Sequence, residues 1–510
     1  MSMSDSGFSI QAFLLGALEV FSFVLLLLFG VAFLAVIVTY IYDVTQTKTA
    51  IRRNYPVIGH FRYFFEHLGE FFRQYFFAMD REELPFNRAQ RAWVYRAGKD
   101  LPNTVAFGST RDIRRPGSIL FVNCPFPTLG EDAVPPGPIT IGEKCRHPYT
   151  TDSLFNISGM SYGALSKPAV QALSMGAHKA GCWINTGEGG LSPYHLQGGA
   201  DIVFQIGTAK NGVRDPAGNL SDDRLREVAA LPQVKMFEIK LSQGAKPGKG
   251  GILPGKKVTD EIAAIRGIEA GKDAISPNRH TDVRCNNDLL DMIQQVREVT
   301  GKPVGFKIVI GGPHWLDELF SDITKRGPSC APDFITLDGS DGGTGAAPMP
   351  LIDAVGLSLR ESLYLLVDKL NAHGLRDRVK VVASGKLITP ADIAWALCVG
   401  ADFVTSARGF MFALGCIQAL QCNKNTCPTG ITTHDPNLQK GLVPEVKAER
   451  VANYVGHLVH EVGVIAHSCG VKSPRELRRH HARIVTVDGP SVALDERFPP
   501  VRPPKVHAVG

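Results

Sequence analysis

Phe334-Ile-Thr-Leu-Asp-Gly-Ser-Asp-Gly-Gly-Thr-Gly345 is a short apolar run that passes without a break into a glycine-rich turn. Its first four residues suit a strand buried on both faces, and the turn lets backbone N–H groups approach a ligand closely. The same pairing recurs. Leu154–Ile157 leads into Ser158-Gly-Met-Ser-Tyr-Gly-Ala-Leu-Ser166, Cys182–Asn185 into Asn185-Thr-Gly-Glu-Gly-Gly190, Val379–Ala383 into Ser384-Gly-Lys386, and Phe403–Thr405 into Ser406-Ala-Arg-Gly409. With Val203–Ile206, Met236–Ile239 and Val304–Ile310 the candidate strands number eight. Helical stretches fall between them, for example Lys167–Ala180, Asn287–Val299, Leu359–Ala372 and Pro390–Val399. This alternation predicts an α/β protein built as a (β/α)8 TIM barrel, with a doubly wound open sheet as the competing architecture. A barrel carries its chemistry at the C-terminal ends of its strands. Five glycine-rich strand ends on one such face favour a cofactor that bears a phosphate.

Charged residues at those ends sharpen the expectation. Lys307 lies inside the apolar strand Gly305-Phe-Lys-Ile-Val-Ile310. A buried lysine needs an anionic partner. In flavin barrels such a lysine faces the N1/O2 edge of the ring; a lysine reaching solvent from the strand end is the plainer alternative. In Glu238-Ile-Lys-Leu-Ser-Gln-Gly-Ala-Lys246, Lys240, Gln243 and Lys246 converge on one strand end and its loop. Two ammonium groups and an amide suit a dicarboxylate, although such a cluster is as often merely solvated.

Gly415-Cys-Ile-Gln-Ala-Leu-Gln-Cys-Asn-Lys-Asn-Thr-Cys-Pro-Thr-Gly430 places Cys416, Cys422 and Cys427 in a C-x5-C-x4-C run closed by Cys-Pro. Thiols this crowded serve disulfides, zinc or an iron–sulfur cluster. Structural zinc normally takes four ligands, whereas a closing Cys-Pro is typical of iron–sulfur ligation. Three thiolates fit a three-iron cluster. The other cysteines among the ten (Cys124, Cys145, Cys182, Cys285, Cys330, Cys398 and Cys469) have no paired spacing. That argues against a disulfide framework and for a reducing compartment. The net charge of +6 is modest for 510 residues, and no basic run is interleaved with aromatics, which excludes nucleic acid as a partner.

From Phe13 to Tyr42 the chain is apolar except for Glu19, Ser22 and Thr39. Val20–Ile41 suffices to cross a bilayer as one transmembrane helix. Lys48, Arg52 and Arg53 follow at once and no Lys or Arg precedes them. A cleaved signal peptide would need a positive leading region and a shorter core. The positive-inside rule therefore predicts a single-pass membrane protein with its catalytic part in the cytoplasm. Tyr55–Asp100 is rich in aromatics and Arg; as an amphipathic helix it suits either the membrane interface or the surface of the main domain. Pro116–Pro138 reads as irregular. The expected organisation is an anchor over residues 1–50, an amphipathic and Pro-rich linker over 51–140, the barrel with its cysteine loop over 141–475, and a tail over 476–510.

Ser161-Tyr-Gly-Ala-Leu-Ser166, Asn185-Thr-Gly-Glu-Gly-Gly190, Gln243-Gly-Ala-Lys-Pro-Gly248, Gly342-Gly-Thr-Gly-Ala346 and Asn425-Thr-Cys-Pro428 together resemble the FMN-binding synthase domain of the glutamate synthase family. The likeness runs in order from about Asn156 to about Gly470. It implies a barrel carrying FMN beside a [3Fe-4S] cluster, in which 2-iminoglutarate, formed from 2-oxoglutarate and ammonia, is reduced to L-glutamate. It implies that Cys416, Cys422 and Cys427 hold the cluster. FMN would be held by Ser158, Gly159, Met160, Ser161, Lys307, Asp338, Gly339, Gly342, Gly343, Thr344, Gly345, Ser384, Gly385, Lys386, Ala407 and Arg408. Glu188, Lys240, Gln243 and Lys246 would act on substrate. The pattern is similar to the stand-alone, membrane-anchored members: the family's N-terminal glutaminase and its C-terminal β-helix have no counterpart here. Lys249 stands where the family commonly has Glu, and Lys386 where it commonly has Gly. An external electron donor and either free ammonia or a partner glutaminase are implied. The competing readings are an N-alkylglutamate synthase acting on an amine and glutamate, and a non-catalytic membrane-tethered electron-transfer subunit. Intact Glu188, Lys240, Gln243 and Lys246 speak against the last.

Overall fold

The computed structural model describes residues 5–502 in two compact units, Met1–Arg88 and Ala89–Gly510. Residues 1–4 and 503–510, the extremes of the expected anchor and tail, lie outside the described residues.

The first unit is helical. Helix α1 (Asp5–Thr45) contains, over Gln11–Thr45, the one stretch among the described residues that is long and apolar enough to cross a membrane. Its side chains are exposed from Gln11 to Val38. Helix α2 (Ala50–Asn54) and helix α3 (Gly59–Phe72) follow, and α3 continues into a single π-type turn over Arg73–Phe77.

The second unit holds a closed parallel barrel of β1 (Phe155–Ile157), β2 (Ile184–Asn185), β3 (Ile202–Ile206), β4 (Val234–Lys240), β5 (Val304–Ile308), β6 (Phe334–Asp338), β7 (Lys380–Ser384) and β8 (Phe403–Ser406). Each strand pairs with its neighbours in sequence, and β8 closes on β1 through Val404↔Phe155 and Ser406↔Ile157. The open sheet is thereby excluded. All eight expected strands are present, with ends moved by at most two residues. Three of the four expected helices fall on their predicted bounds, Lys167–Ala180, Leu359–Ala372 and Pro390–Val399, and the fourth spans Asn286–Thr300.

Local chemistry explains such precision. The Ser166 hydroxyl accepts the Ala169 N–H at 3.4 Å at the start of the Lys167–Ala180 helix, and Gly181 ends it in the left-handed region. On that helix Gly176 lets the 25-residue helix Pro444–Ser468 cross closely: a Cβ there would lie 2.5 Å from Val451 Cβ and 2.9 Å from the Ala448 carbonyl. Gly176→Ala is expected to cost about 1–3 kcal/mol through overpacking, measured as a lower thermal midpoint.

Two segments depart from expectation. Within the Pro-rich stretch, Ile119–Phe121 forms a strand antiparallel to Ala482–Val485, which also pairs with Ser491–Ala493. The approach to the barrel and the segment after it are thus joined in one small sheet. A hairpin of Ile139–Ile141 and Tyr149–Thr151 closes the N-terminal end of the barrel. There Ile141 and Tyr149 pack with Trp183, Val203, Met236, Phe334, Val382 and Phe403 into a dry floor.

Candidate active site at the barrel mouth

Side chains alternate along β4, so Met236, Glu238 and Lys240 step from the floor toward the mouth. Glu238 is buried at the middle level. Its carboxylate accepts from Asn185 Nδ2 at 2.8 Å, Gln205 Nε2 at 2.6 Å and Thr336 Oγ1 at 2.5 Å. Four strands are thus tied through one acceptor directly beneath the mouth.

At the mouth, Lys240 and Lys307 are partners in the β4–β5 register. Their carboxylates differ. Lys307 pairs with Asp338 at 3.1 Å, both groups being buried. Asp338 also accepts the Gly244 N–H at 2.9 Å and the Ser384 hydroxyl at 3.0 Å. Burial alone would push the Asp338 carboxyl up, but Lys307 and these hydrogen bonds hold it below the usual carboxylate range. Burial opposes the charge on Lys307 too, and Asp338, Glu238 and Glu188 more than restore it. The buried-lysine expectation is therefore met, with Asp338 as the anionic partner.

Lys240 pairs instead with Glu188 at 3.0 Å and donates to the Gln243 side-chain oxygen. Burial would raise the Glu188 carboxyl, but the charges of Lys240, Lys246 and Arg266 pull it down to about 2. Burial lowers the Lys246 ammonium to about 8, Glu188 drawing it up and Lys240 pushing it further down. Gly251 leaves room for the Glu188 carboxylate, since a Cβ there would lie 2.4 Å from Oε1. The structure thus gathers Glu188, Lys240, Gln243 and Lys246 into one cluster.

The glycine loops meet backbone to backbone. A Cβ on Gly244 would lie 2.4 Å from the Gly339 carbonyl and 2.8 Å from Gly342 Cα. The Gly339 N–H donates to the Ser384 carbonyl, and Gly342 N–H to that of Gly339. A Cβ on Gly159 would lie 2.9 Å from Asn185 Oδ1, and the Met160 N–H reaches the Asn185 carbonyl at 3.5 Å. Lys386, in the left-handed region at φ 53°, and Arg408 lie at the ends of β7 and β8. Burial lowers both; Asp341 draws Lys386 up and Arg408 pushes it further down, while Asp338 and Asp341 draw Arg408 up. Arg408 Nη2 donates to the Asp341 carbonyl at 3.2 Å, and Ala407 precedes Arg408 at the start of the helix Arg408–Leu414. Ser158 and Ser161 are buried, whereas Gly343, Thr344 and Gly345 are at least partly open.

The cysteine loop follows that helix. Gln418, Leu420 and Asn425 adopt left-handed φ of 59°, 55° and 61°, a concentration of unusual backbone that shaped binding loops carry. Among the described residues no three His, Cys, Asp or Glu side chains stand close enough to hold one metal ion. The three sulfurs still feel each other: burial raises Cys416 to about 12, and Cys422 and Cys427 add to the rise. Burial would raise Cys427 as well, but hydrogen bonds from Thr429 and Thr432 bring it below the ordinary thiol value.

Three residues that the sequence reading did not place in the site belong to it by geometry. Glu238 carried one signal, a carboxylate two residues before Lys240 in an apolar strand. Arg266, buried at the end of the helix Asp260–Arg266, donates to Ser161 Oγ at 3.2 Å and the Tyr162 carbonyl at 3.0 Å; its buried Nε has no hydrogen-bond partner among the described residues. Lys257, also buried, donates to the Ala164 carbonyl at 2.7 Å and the Cys422 carbonyl at 3.3 Å. Burial lowers its ammonium to about 8, and the charges that favour its protonated form are those of Cys422 and Cys427.

The model of a family described as "Conserved region in glutamate synthase" matches residues 129–472. Over 495 residues the chain is 43% identical to the glutamate synthase large subunit-like protein YerD of Bacillus subtilis (strain 168), covering 89% of this chain and 94% of that protein. It is 32% identical over 355 residues to a glutamate synthase large subunit-like protein of Rhizobium meliloti (strain 1021), covering 66% of this chain and 76% of that one. With the archaeal glutamate synthase (NADPH) of Methanocaldococcus jannaschii it shares 37% identity over 336 residues, covering 65% of this chain and 62% of that protein. The chain therefore spans less than two thirds of the archaeal relative's length.

Proposed function

Because this chain belongs to the glutamate synthase family, we propose that it is an oxidoreductase that reduces 2-iminoglutarate, formed from 2-oxoglutarate and ammonia, to L-glutamate. The observation that carries this reading is the ionised Glu188 set among Lys240, Lys246 and Arg266, across the mouth from the Lys307–Asp338 pair. Lys240 and Lys246 pair with the two substrate carboxylates, and the unpartnered Nε of Arg266 offers a further donor. Glu188 accepts an N–H from the iminium nitrogen and holds its positive charge, which makes the attached carbon electrophilic. Lys307 sets positive charge where a reduced ring would carry negative charge.

FMN, when bound, supplies a hydride to the imine carbon, and a [3Fe-4S] cluster supplies single electrons from an external donor. The donor chemistry of the residues present suits both groups, although the three thiols are not gathered here closely enough to hold one metal ion. Ser158–Ser161, Lys307, Asp338–Gly345, Ser384–Lys386 and Ala407–Arg408 surround a mouth whose loops are glycine-lined, with Lys386 and Arg408 as cations for a phosphate. Cys416, Cys422 and Cys427 are soft donors, and the buried Lys257 ammonium beside them suits an anionic group. α1 crosses the membrane once, with Lys48, Arg52 and Arg53 and hence the barrel on the cytoplasmic side.

The test is an anaerobic assay of the full-length protein with a chemically reduced viologen as donor. Glutamate formed from 2-oxoglutarate and ammonia supports the reading. N-methylglutamate formed from glutamate and methylamine, with no product from the first pair, overturns it in favour of amine transfer. No product from either pair with FMN and iron fully loaded leaves an electron-transfer subunit.

Lys246 adds a pH signature. Its ammonium is charged below about 8 and neutral above. Affinity for 2-oxoglutarate is expected to fall as pH rises through about 8, with proton uptake on binding above that pH, measured by isothermal titration in buffers of different ionisation enthalpy. The folding contribution has the opposite sign. Between about 8 and 10.5 the unfolded chain holds a proton that the native state lacks, so this buried lysine costs stability at neutral pH and the cost is relieved toward alkaline pH.

A further inference from the structure

We infer that the chain touches the membrane a second time: the aromatic face of α3 and of the turn after it lies in the bilayer interface, on the leaflet where α1 ends. This rests on the reading of α1 as a membrane span.

The face is set by helical spacing. Phe61, Phe64, Phe65, Leu68 and Phe72 recur at i, i+3, i+4, i+7 and i+11, one stripe of a helix, with Arg62, Glu66 and Arg73 on the opposite arc. The four phenylalanines are exposed, Phe65 by 60%, and Phe76 and Phe77 in the next turn by 71% and 76%. Among the described residues their rings meet one another: Phe61 with Phe65, Phe64 with Phe65, Phe72 with Phe76. So large an apolar patch on a water-facing helix calls for a partner.

The back of the first turns of α3 is in use. Asp43, buried near the end of α1, accepts the Val57 N–H at 2.9 Å, and both its oxygens lie 2.9 Å from His60 Nε2. The Arg52 guanidinium sits 4.8 Å from the centre of the Tyr63 ring. A Cβ on Gly59 would lie 3.1 Å from Arg52 Cα and the Ile51 carbonyl. Gly59, His60 and Tyr63 lie on the flank and back of the helix relative to Phe61, Phe65 and Phe72. The start of α3 is thus clamped to the end of α1 with its aromatic stripe turned outward.

The clamp fixes a level as well as an orientation, and the level identifies lipid as the occupant. Tyr40 and Tyr42 are exposed on α1 just before Asp43, as residues of an interfacial aromatic belt are. A carboxylate at Asp43 marks where the helix leaves hydrocarbon. His60 is held at that same height. A 14-residue helix starting there, aromatic on one side and flanked by Lys48, Arg52, Arg53 and Arg62, has the composition of an in-plane helix on anionic lipid.

The experiment uses the full-length protein in vesicles of phosphatidylcholine and phosphatidylglycerol, plain or brominated along the acyl chains. A tryptophan is added by Phe64→Trp, by Phe23→Trp within α1, or by Val487→Trp on the exposed surface of the second unit, and its emission is taken above that of the four native tryptophans. Bromine is expected to remove about half or more of the emission added at positions 23 and 64, as burial at the headgroup–acyl boundary requires, and none of that at 487. Phe65→Glu in the Phe64→Trp protein is expected to abolish the quenching at 64. An unquenched Phe64→Trp beside a quenched Phe23→Trp overturns the inference alone and leaves a protein surface, such as a second copy of this chain, to cover the face. An unquenched Phe23→Trp overturns the span, and the inference with it.

Discussion

Cys422→Ser is expected to strip the iron and its low-temperature EPR signal from anaerobically purified protein while FMN remains bound. The loop offers three soft donors and no fourth, so losing one leaves two thiolates, too few to hold a three-iron group. The loops proposed to hold the flavin lie at other strand ends, whereas Cys422 meets Lys257 through its carbonyl. Iron and flavin analysis on wild type and mutant, alongside EPR, checks it. Stoichiometric zinc without iron in the wild-type protein would overturn the cluster, and full retention of the signal in the mutant would remove Cys422 from the ligand set.

Lys240→Ala is expected to weaken 2-oxoglutarate binding by roughly 10- to 150-fold, the loss of one charge-assisted contact worth about 1.5–3 kcal/mol. The native pair with Glu188 gives this substitution a second signature. Glu188 loses its nearest cation, so its carboxyl should rise toward the normal range, with Lys246 and Arg266 still holding it down. Titration of the oxidised flavin spectrum with 2-oxoglutarate, wild type against mutant, reads the affinity. Equal affinities would remove Lys240 from the binding set. The barrel should stay folded, because Lys240 lies above the Glu238 network and outside the dry floor, with a lower melting temperature where Glu188 loses its partner.

What the sequence made legible was local. The Lys167–Ala180 and Pro390–Val399 helices announce themselves through Ser166 and Thr389 before a proline and through Gly181 and Gly400 after the last turn, signals carried within a few residues. The barrel followed from repetition of strand and glycine turn. The Lys240, Gln243 and Lys246 cluster was visible because one strand end and its loop supply all three. Arg266 and Lys257 were not visible: one ends a short helix, the other sits in a single helical turn, and only closure of the barrel brings them to Ser161 and to the Cys422 loop. The strand Ile119–Phe121 was missed for the same reason. Three residues among prolines have no pattern of their own, and the partner that makes them a strand, Ala482–Val485, is remote in sequence.

The hydrophobic floor has a consequence for traffic. With Ile141, Tyr149, Trp183 and Phe403 filling the far end, the barrel is a cup, not a tube. Ammonia cannot be delivered along its axis from beneath. On the proposed function, the nitrogen source, the keto acid and the departing amino acid would all use the mouth, through its opening or between the loops of its rim. On the same reading, a partner enzyme that handed over ammonia would have to dock at the rim, where it would compete for access with the substrate it serves.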